Sequence, residues 1–267
     1  MVDSRRLLRN AVPPCLWDWA RARFGGVRQV PGWPTADAGG WTEAAASAVE
    51  GYEEGVRRMI EGAALSYLPT EEPVSWLHSD PQFHHRMVQL GLVAARMGGE
   101  HGALNILDYG GGFGVHALAL KRLLPWLRFQ YTVCELPAFC DLGRELNPDI
   151  RFVSSLADAG MGYDLVYASS SVQYMRDWRR LLGDLSAASS GGVFVTRTPF
   201  VLTRDTFVVM QRAYGTEYPG WVFNLREFVQ AAQELGAGTQ REVFVNGRGL
   251  AVRGASEPNV HLGLLFE

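Results

Sequence analysis

The stretch Ile106-Leu-Asp-Tyr-Gly-Gly-Gly-Phe-Gly114 restricts the folds open to this chain more than any other. Leu104, Ile106 and Leu107 form a β-favouring, apolar approach to Asp108. A glycine-dense turn follows, and Val115 to Leu124 then carries helical spacing. The order is strand, tight turn, helix. Gly110, Gly112 and Gly114 let the backbone approach a ligand closely and take φ values that other residues resist. The turn delivers free N–H groups at a helix N-terminus, which suit a carboxylate or another anionic group.

The downstream pattern agrees with this start. Strands are expected near 104–108, 129–134, 151–153, 163–168 and 192–196, with helices near 114–124, 137–146 and 177–188. Alternating strands and helices imply right-handed crossovers and a parallel sheet covered on both faces. Asp164-Leu-Val-Tyr-Ala168 and Val193-Phe-Val195 are the apolar runs such strands require. Glu135 closes the second run, 135 − 108 = 27 positions after Asp108. In doubly wound folds a carboxylate there holds ribose hydroxyls. Beyond 197 the chain reads as less regular and rich in Tyr, Phe and Trp. A helix at about 225–235 follows, ended by Gly236, and then two β-like segments, Glu242–Val245 and His261–Phe266.

The first hundred residues read as helical. Trp41 and Thr42 open one helix, and Tyr52 to Leu65 continues the spacing until Pro69 and Pro73. Asp80 and Pro81 supply the N-cap and first position of another, with Met87, Leu90, Val93 and Ala94 on its apolar face and Gly98-Gly99 closing it. The expected division is a helical N-terminal cap at 1–101 and an α/β domain at 102–267.

With 267 residues, 47% hydrophobic and 20% charged, a globular core is expected. A net charge of −3 implies no basic face and argues against nucleic acid. Cys15, Cys134 and Cys140 form no C-x-x-C pair, so neither a disulfide framework nor a zinc site is expected. Cys134 reads as a core residue. His78, His84 and His85 have no carboxylate at a familiar ligand spacing, so no metal is expected. No signal-peptide h-region and no long apolar run occur. The expectation is a cytoplasmic protein with a small-molecule substrate, with no nucleic-acid or membrane partner, and with a homodimer left open.

The spacing Asp-x-Gly-x-Gly-x-Gly, with an acidic second-strand end, resembles the S-adenosylmethionine methyltransferase pattern. A dinucleotide Gly-x-Gly-x-x-Gly would need glycine at 115, where valine stands. Further segments resemble the LIC12133-type methyltransferase family. They are Trp41-Thr-Glu-Ala, Gly51-Tyr52, Leu107 to Gly114, Ser169-Ser-Ser-Val-Gln-Tyr174, Arg197-Thr-Pro-Phe200, Gln211 and Tyr218-Pro-Gly-Trp-Val-Phe-Asn224. The chain departs from that family at Thr196, where an aspartate is usual, and in a shortened segment between Gln211 and Tyr218.

The resemblance implies an α/β, Rossmann-like doubly wound sheet of about seven strands, of the class I methyltransferase type, with an antiparallel edge. It implies S-adenosylmethionine as cofactor and S-adenosylhomocysteine as product. Asp108, Gly110, Gly112, Gly114, Glu135, Leu136, Ser155, Leu156, Ala168 and Ser169 would hold the cofactor. Gln173, Gln211, Tyr218 and Trp221 would surround the acceptor. His116, Tyr174 and Arg197 are the candidates for chemistry, with Arg197 able to pair with a substrate carboxylate or phosphate. The leading reading is a methyltransferase for a sugar derivative or natural-product intermediate. One alternative is an enzyme that binds this cofactor but catalyses a non-methylating step such as intramolecular ring closure. Another is a non-catalytic cofactor-binding scaffold.

Overall fold

A parallel sheet begins at the glycine-rich segment and grows on both sides of it. A computed structural model describes residues 40–42, 81–99, 102–213, 216–248, 252 and 257–267, all within the unit Gly32–Glu267. The elements are α1 (Pro81–Gly98), β1 (Ala103–Tyr109), α2 (Val115–Leu123), β2 (Arg128–Cys134), α3 (Pro137–Leu146), β3 (Arg151–Val153), α4 (Leu156–Ala159) and β4 (Tyr163–Ser169). They continue with a 3-10 turn (Val172–Tyr174), α5 (Trp178–Ala188), β5 (Ser189–Val201), β6 (Phe207–Ala213), β7 (Thr216–Asn224), α6 (Leu225–Glu234), β8 (Gln240–Arg248) and β9 (Val260–Phe266).

Five strands run parallel in the order β3-β2-β1-β4-β5. The order reverses at β1, so the crevice lies at the carboxyl ends of β1 and β4. β9 pairs antiparallel with β5, and β8 antiparallel with β9. This is the antiparallel edge that the resemblance implied. Alternate strand residues feed opposite layers. Leu104, Ile106, Tyr131, Val133, Leu165 and Tyr167 pack with Met87, Leu90, Val93 and Ala94 of α1 and with Ala117 and Leu120 of α2. Leu107, Val166, Ala168, Val193 and Val195 pack with α5 and α6 through Trp178, Leu182, Phe228 and Ala232. The strands are apolar on both faces because helices cover both faces.

One expectation is corrected. The stretch after 197 is not irregular: β5 runs on to Val201, and a hairpin, β6–β7, is inserted before α6. Pro199, Pro219 and Gly220 hid it. Pro219 is tolerated because, among the described residues, that end of β7 has β6 on one side and no strand on the other; β7 meets β5 only at Phe223 and Asn224. The sheet therefore has nine strands, with the hairpin added to the seven expected. Most of the expected N-terminal cap lies outside the described residues, as does Asp80. Helix α1, at its C-terminal end, begins at Pro81 with the expected face buried.

Asn224 ties the hairpin to α6. Its side chain accepts from Glu227 N at 3.1 Å and donates to Arg204 O at 2.8 Å, which caps the helix. Phe228 then stacks on Trp178 at 5.6 Å and meets Phe223 at 4.9 Å and Phe200 at 5.2 Å. Phe228→Ala should cost about 3–5 kcal/mol by emptying this junction. Urea denaturation with an unchanged m-value checks it; a loss under about 1 kcal/mol would mean the hairpin is held elsewhere.

Candidate active site

Asp108 is fully buried beneath the glycine turn. Its Oδ2 accepts from His116 Nδ1 at 2.8 Å and from Tyr131 Oη at 2.9 Å. Burial and the Asp108 charge hold the Tyr131 hydroxyl well above its ordinary pKa, so it stays a donor. Asp108 Oδ1 is buried and has no hydrogen-bond partner among the described residues. The backbone of Gly111 crosses directly over this carboxylate, and a Cβ there would collide with it. Gly112 takes φ 57° with open space above it.

Glu135, at the end of β2, reaches the same turn. Its Oε2 accepts from Gly112 N at 3.2 Å and its Oε1 from Leu136 N at 2.8 Å. Burial raises its pKa, and the two N–H donors oppose that rise. The end of β4 closes the third side. Ser171 Oγ donates to Tyr109 O at 3.1 Å, and a Cβ at Gly110 would stand 2.7 Å from Ser171 Cβ.

A cavity of about 390 Å³ opens where these strand ends meet. Tyr109, Gly110, Cys134, Glu135, Leu136 and Ser154 line it from β1, β2 and β3, and Ser170, Ser171, Tyr174 and Met175 from the segment after β4. Tyr218 and Pro219 of the hairpin and Trp41 complete the lining. The aromatic groups brace one another: Tyr174 meets Tyr218 edge-on at 5.5 Å, and Trp41 stacks on Trp221 at 5.4 Å. Trp221 Nε1 donates to Met175 O at 3.0 Å. The Tyr174 hydroxyl is buried, which raises its pKa, while hydrogen bonds with Ser170, Gln173 and Gln211 and the charge of Arg197 oppose the rise.

Several sequence-derived candidates gather here: Gly110, Glu135, Leu136, Tyr174 and Tyr218 line the cavity, with Asp108 and Gly112 in the turn beside it. Others lie off it. Ala168 and Ser169 are buried within β4, which runs one residue longer than expected, and Ser170 and Ser171 take the lining position. Ser155 caps α4 through Asp158 N at 3.2 Å, Leu156 packs on the core, and Ser154 lines the cavity instead. Gly114 faces Ile150, where a Cβ would stand 2.5 Å from its Cδ1, so its glycine serves packing. His116 is engaged with Asp108 beneath the turn and is not part of the cavity wall. Gln173 and Gln211 are buried and hydrogen-bond Tyr174, Trp221 backs Trp41, and Arg197, whose charge acts on Tyr174, does not line the cavity. His78 falls outside the described residues.

Sequence reasoning missed Ser170, Ser171, Met175 and Pro219 as lining residues. The serine run after β4 was the available signal, since small polar residues past a strand end favour turns. Cys134 is both core and lining; burial pushes its thiol up to about 12, so it stays protonated.

No protein-family model matches this chain, and no curated protein matches its sequence. Solved structures resemble its fold. A protein described as a sarcosine dimethylglycine methyltransferase candidate, from Galdieria sulphuraria, has a TM-score of 0.50 at 12% identity, covering 68% of this chain and 85% of that one. The 1,6-didemethyltoxoflavin-N1-methyltransferase of Burkholderia thailandensis, holding its substrate and S-adenosylhomocysteine, has a TM-score of 0.46 at 13% identity over 82% and 91% of the two chains. An amino pentose methyltransferase of calicheamicin biosynthesis from Micromonospora echinaspora, with S-adenosylmethionine bound, has a TM-score of 0.46 at 16% identity over 74% and 97%. The strand order and the first of these likenesses define a Rossmann-like α/β fold of the class I methyltransferase type.

Among the described residues no helix is long and apolar enough to cross a membrane.

His261 on β9 lies near Arg197, and burial together with that charge depresses it to about 4. An unfolded chain takes up the proton near pH 6.5 and the folded one only near 4, so the folded state loses ground as pH falls through that window. The loss should approach about 3 kcal/mol. Urea midpoints at pH 7 and pH 4.5 should differ less in His261→Gln than in the parent; an equal difference would mean another group carries the effect.

Proposed function

We propose that this chain binds S-adenosylmethionine in the cavity at the ends of β1, β2 and β4 and transfers a methyl group to a small polar metabolite. The observation that carries this is the junction of turn and carboxylate. Glu135 is already oriented by Gly112 N and Leu136 N and borders a cavity large enough for a nucleoside. The turn fits the group on two further counts. The space above Gly112 is one a Cβ would enter, and Asp108 Oδ1 is an acceptor still lacking a donor. Glu135 would take ribose hydroxyls, Leu136 and Ser154 the base, and the turn the amino-acid end. When bound, the cofactor supplies a methyl group already activated by its sulfonium. The work left to the protein is to place a nucleophile in line and exclude water. Tyr174, Tyr218 and the Trp41–Trp221 pair would do that from the side facing the hairpin.

A second reading has its own support. Apart from Glu135, which this reading assigns to the ribose, the described cavity lining holds no histidine, lysine, arginine or acidic residue, so no further general base faces the space. That favours an acceptor whose nucleophile is already competent, or a non-methylating closure within one bound molecule. A non-catalytic scaffold is the remaining alternative. Incubation with S-adenosylmethionine labelled at the methyl group and candidate acceptors separates these: label in product supports transfer, and a changed acceptor without label supports ring closure.

Isothermal titration should give micromolar binding of S-adenosylhomocysteine, about −8 kcal/mol. Glu135→Ala should weaken it about tenfold or more through lost charge-assisted bonds. The weakening of the parent at low pH should begin above the ordinary glutamate range, because the Glu135 pKa is raised. Gly112→Ala should lose binding while circular dichroism stays unchanged. Normal binding by both variants would place the cofactor elsewhere.

A further inference from the structure

Among the described residues, two that are not glycine take a positive φ: Ser170 at 55° and Arg197 at 53°. They are neighbours. Ser170 N donates to Thr196 O at 2.9 Å, joining the end of β4 to the residue before Arg197. Left-handed conformations of this kind cost on the order of 1–2 kcal/mol each, and they persist where the surroundings over-determine them.

At Arg197 the determinants are visible. The pairing of β5 with β9 slips between Val195 and Thr198, so Thr196 and Arg197 together oppose Gly263. This is a β-bulge, and it turns the strand's phase: Val195 and Phe200, an odd number of residues apart, face the same core layer. The Arg197 N–H donates to Asn246 Oδ1 at 3.1 Å. Asn246 Nδ2 donates to Gln89 Oε1 at 2.5 Å, and Gln89 Nε2 meets His85 Nε2 at 2.8 Å. Strands β5 and β8 and helix α1 thus converge on the backbone of one residue.

The side chain this arrangement aims is a cation, beside Tyr167, which also feels the Asp108 charge. The Arg197 charge acts on Tyr167, Tyr174 and His261. Burial raises both phenols and lowers the imidazole, so none is charged at neutral pH. Among the described residues no carboxylate lies in ion-pair distance of Arg197. Two buried polar atoms of this region also lack partners among the described residues: His261 Nε2, and Oε1 of Gln173, a residue only 2% exposed whose Nε2 donates to Ser170 Oγ at 3.1 Å. A half-buried guanidinium, hydroxyls and unpaired polar atoms, with no protein anion supplied, match a ligand oxyanion.

We propose that Arg197, aimed by the bulge, binds a carboxylate or phosphate carried by the acceptor, so that the substrate is an anionic small molecule. The proposal rests on the reading of this crevice as the place where an acceptor meets the cofactor. The alternative is that Arg197 only braces β5.

The test exploits the backbone. Glycine adopts φ 53° without strain, so Arg197→Gly removes the guanidinium and relieves the bulge. The full chain, with and without saturating S-adenosylhomocysteine, is titrated with inorganic phosphate and separately with propionate, ionic strength being held with chloride. Melting temperature and calorimetric heat are read. The parent should show a saturable rise of several degrees with one of these anions. Arg197→Gly, melting in buffer alone at or above the parent, should lose that response, and Arg197→Lys should weaken it about tenfold for want of the bidentate fork. A response to phosphate alone assigns a phosphorylated acceptor, and one to propionate alone a carboxylic acid. An equal response in parent and Arg197→Gly, or none in the parent to either anion, overturns the proposal. So does a lower melting temperature for Arg197→Gly, since that marks a brace. Binding of S-adenosylhomocysteine reports separately on the cofactor reading; an Arg197-dependent anion response supports the proposal in either case.

Discussion

The buried carboxylate of Asp108 is the constraint on which the site depends. A carboxylate fully removed from water is tolerated only with donors around it. His116 from α2 and Tyr131 from β2 supply two, on one oxygen. Those contacts fix how β1, β2 and α2 meet. The turn must pass over the carboxylate closely, and only glycine at 111 leaves room. The closeness of that crossing brings Gly112 N to Glu135, so a structural carboxylate below the turn positions a ligand-facing one above it. The two acidic residues do different work on opposite sides of three glycines.

The second determinant is the inserted hairpin. A doubly wound sheet by itself offers a crevice open on one side. Here β6–β7 joins the extended end of β5 and carries Tyr218 and Trp221 toward the segment after β4. The aromatic contacts made there are edge-on and stacked pairs, rigid with few rotatable bonds. The insertion converts an open crevice into a walled cavity without disturbing the parallel core, because it attaches past the point where β5 leaves its pairing with β4.

Strain is concentrated in the same region. The left-handed Ser170, just past β4, is hydrogen-bonded to Thr196 at the bulge within β5. The sheet elsewhere runs in regular register apart from slips near Tyr163 and along β8. Departure from regular geometry at the bulge turns the Arg197 side chain out of the strand's alternation.

Much of this was legible in the sequence. The strand–turn–helix at Asp108, the acidic end of β2 and the alternation of strands and helices follow from local pattern: apolar runs of strand length, glycines where backbone must come close, and helix-period faces; the antiparallel edge came from the resemblance. Local pattern could not locate Ser170 and Ser171 in the lining in place of Ala168 and Ser169, since that depends on how far β4 stays paired. It could not separate Gly114, a packing glycine against Ile150, from Gly112, which faces open space, because both look alike along the chain. Nor could it see the hairpin through Pro199 and Pro219, whose tolerance depends on which strand lies beside them. The sequence by itself determined the fold class and the chemistry at the turn, because those rest on periodicity and on residue types a few positions apart. The aim of Arg197, the burial of His116 under the turn and the closure of the cavity were decided by tertiary structure alone, because each depends on contacts between segments far apart in the chain.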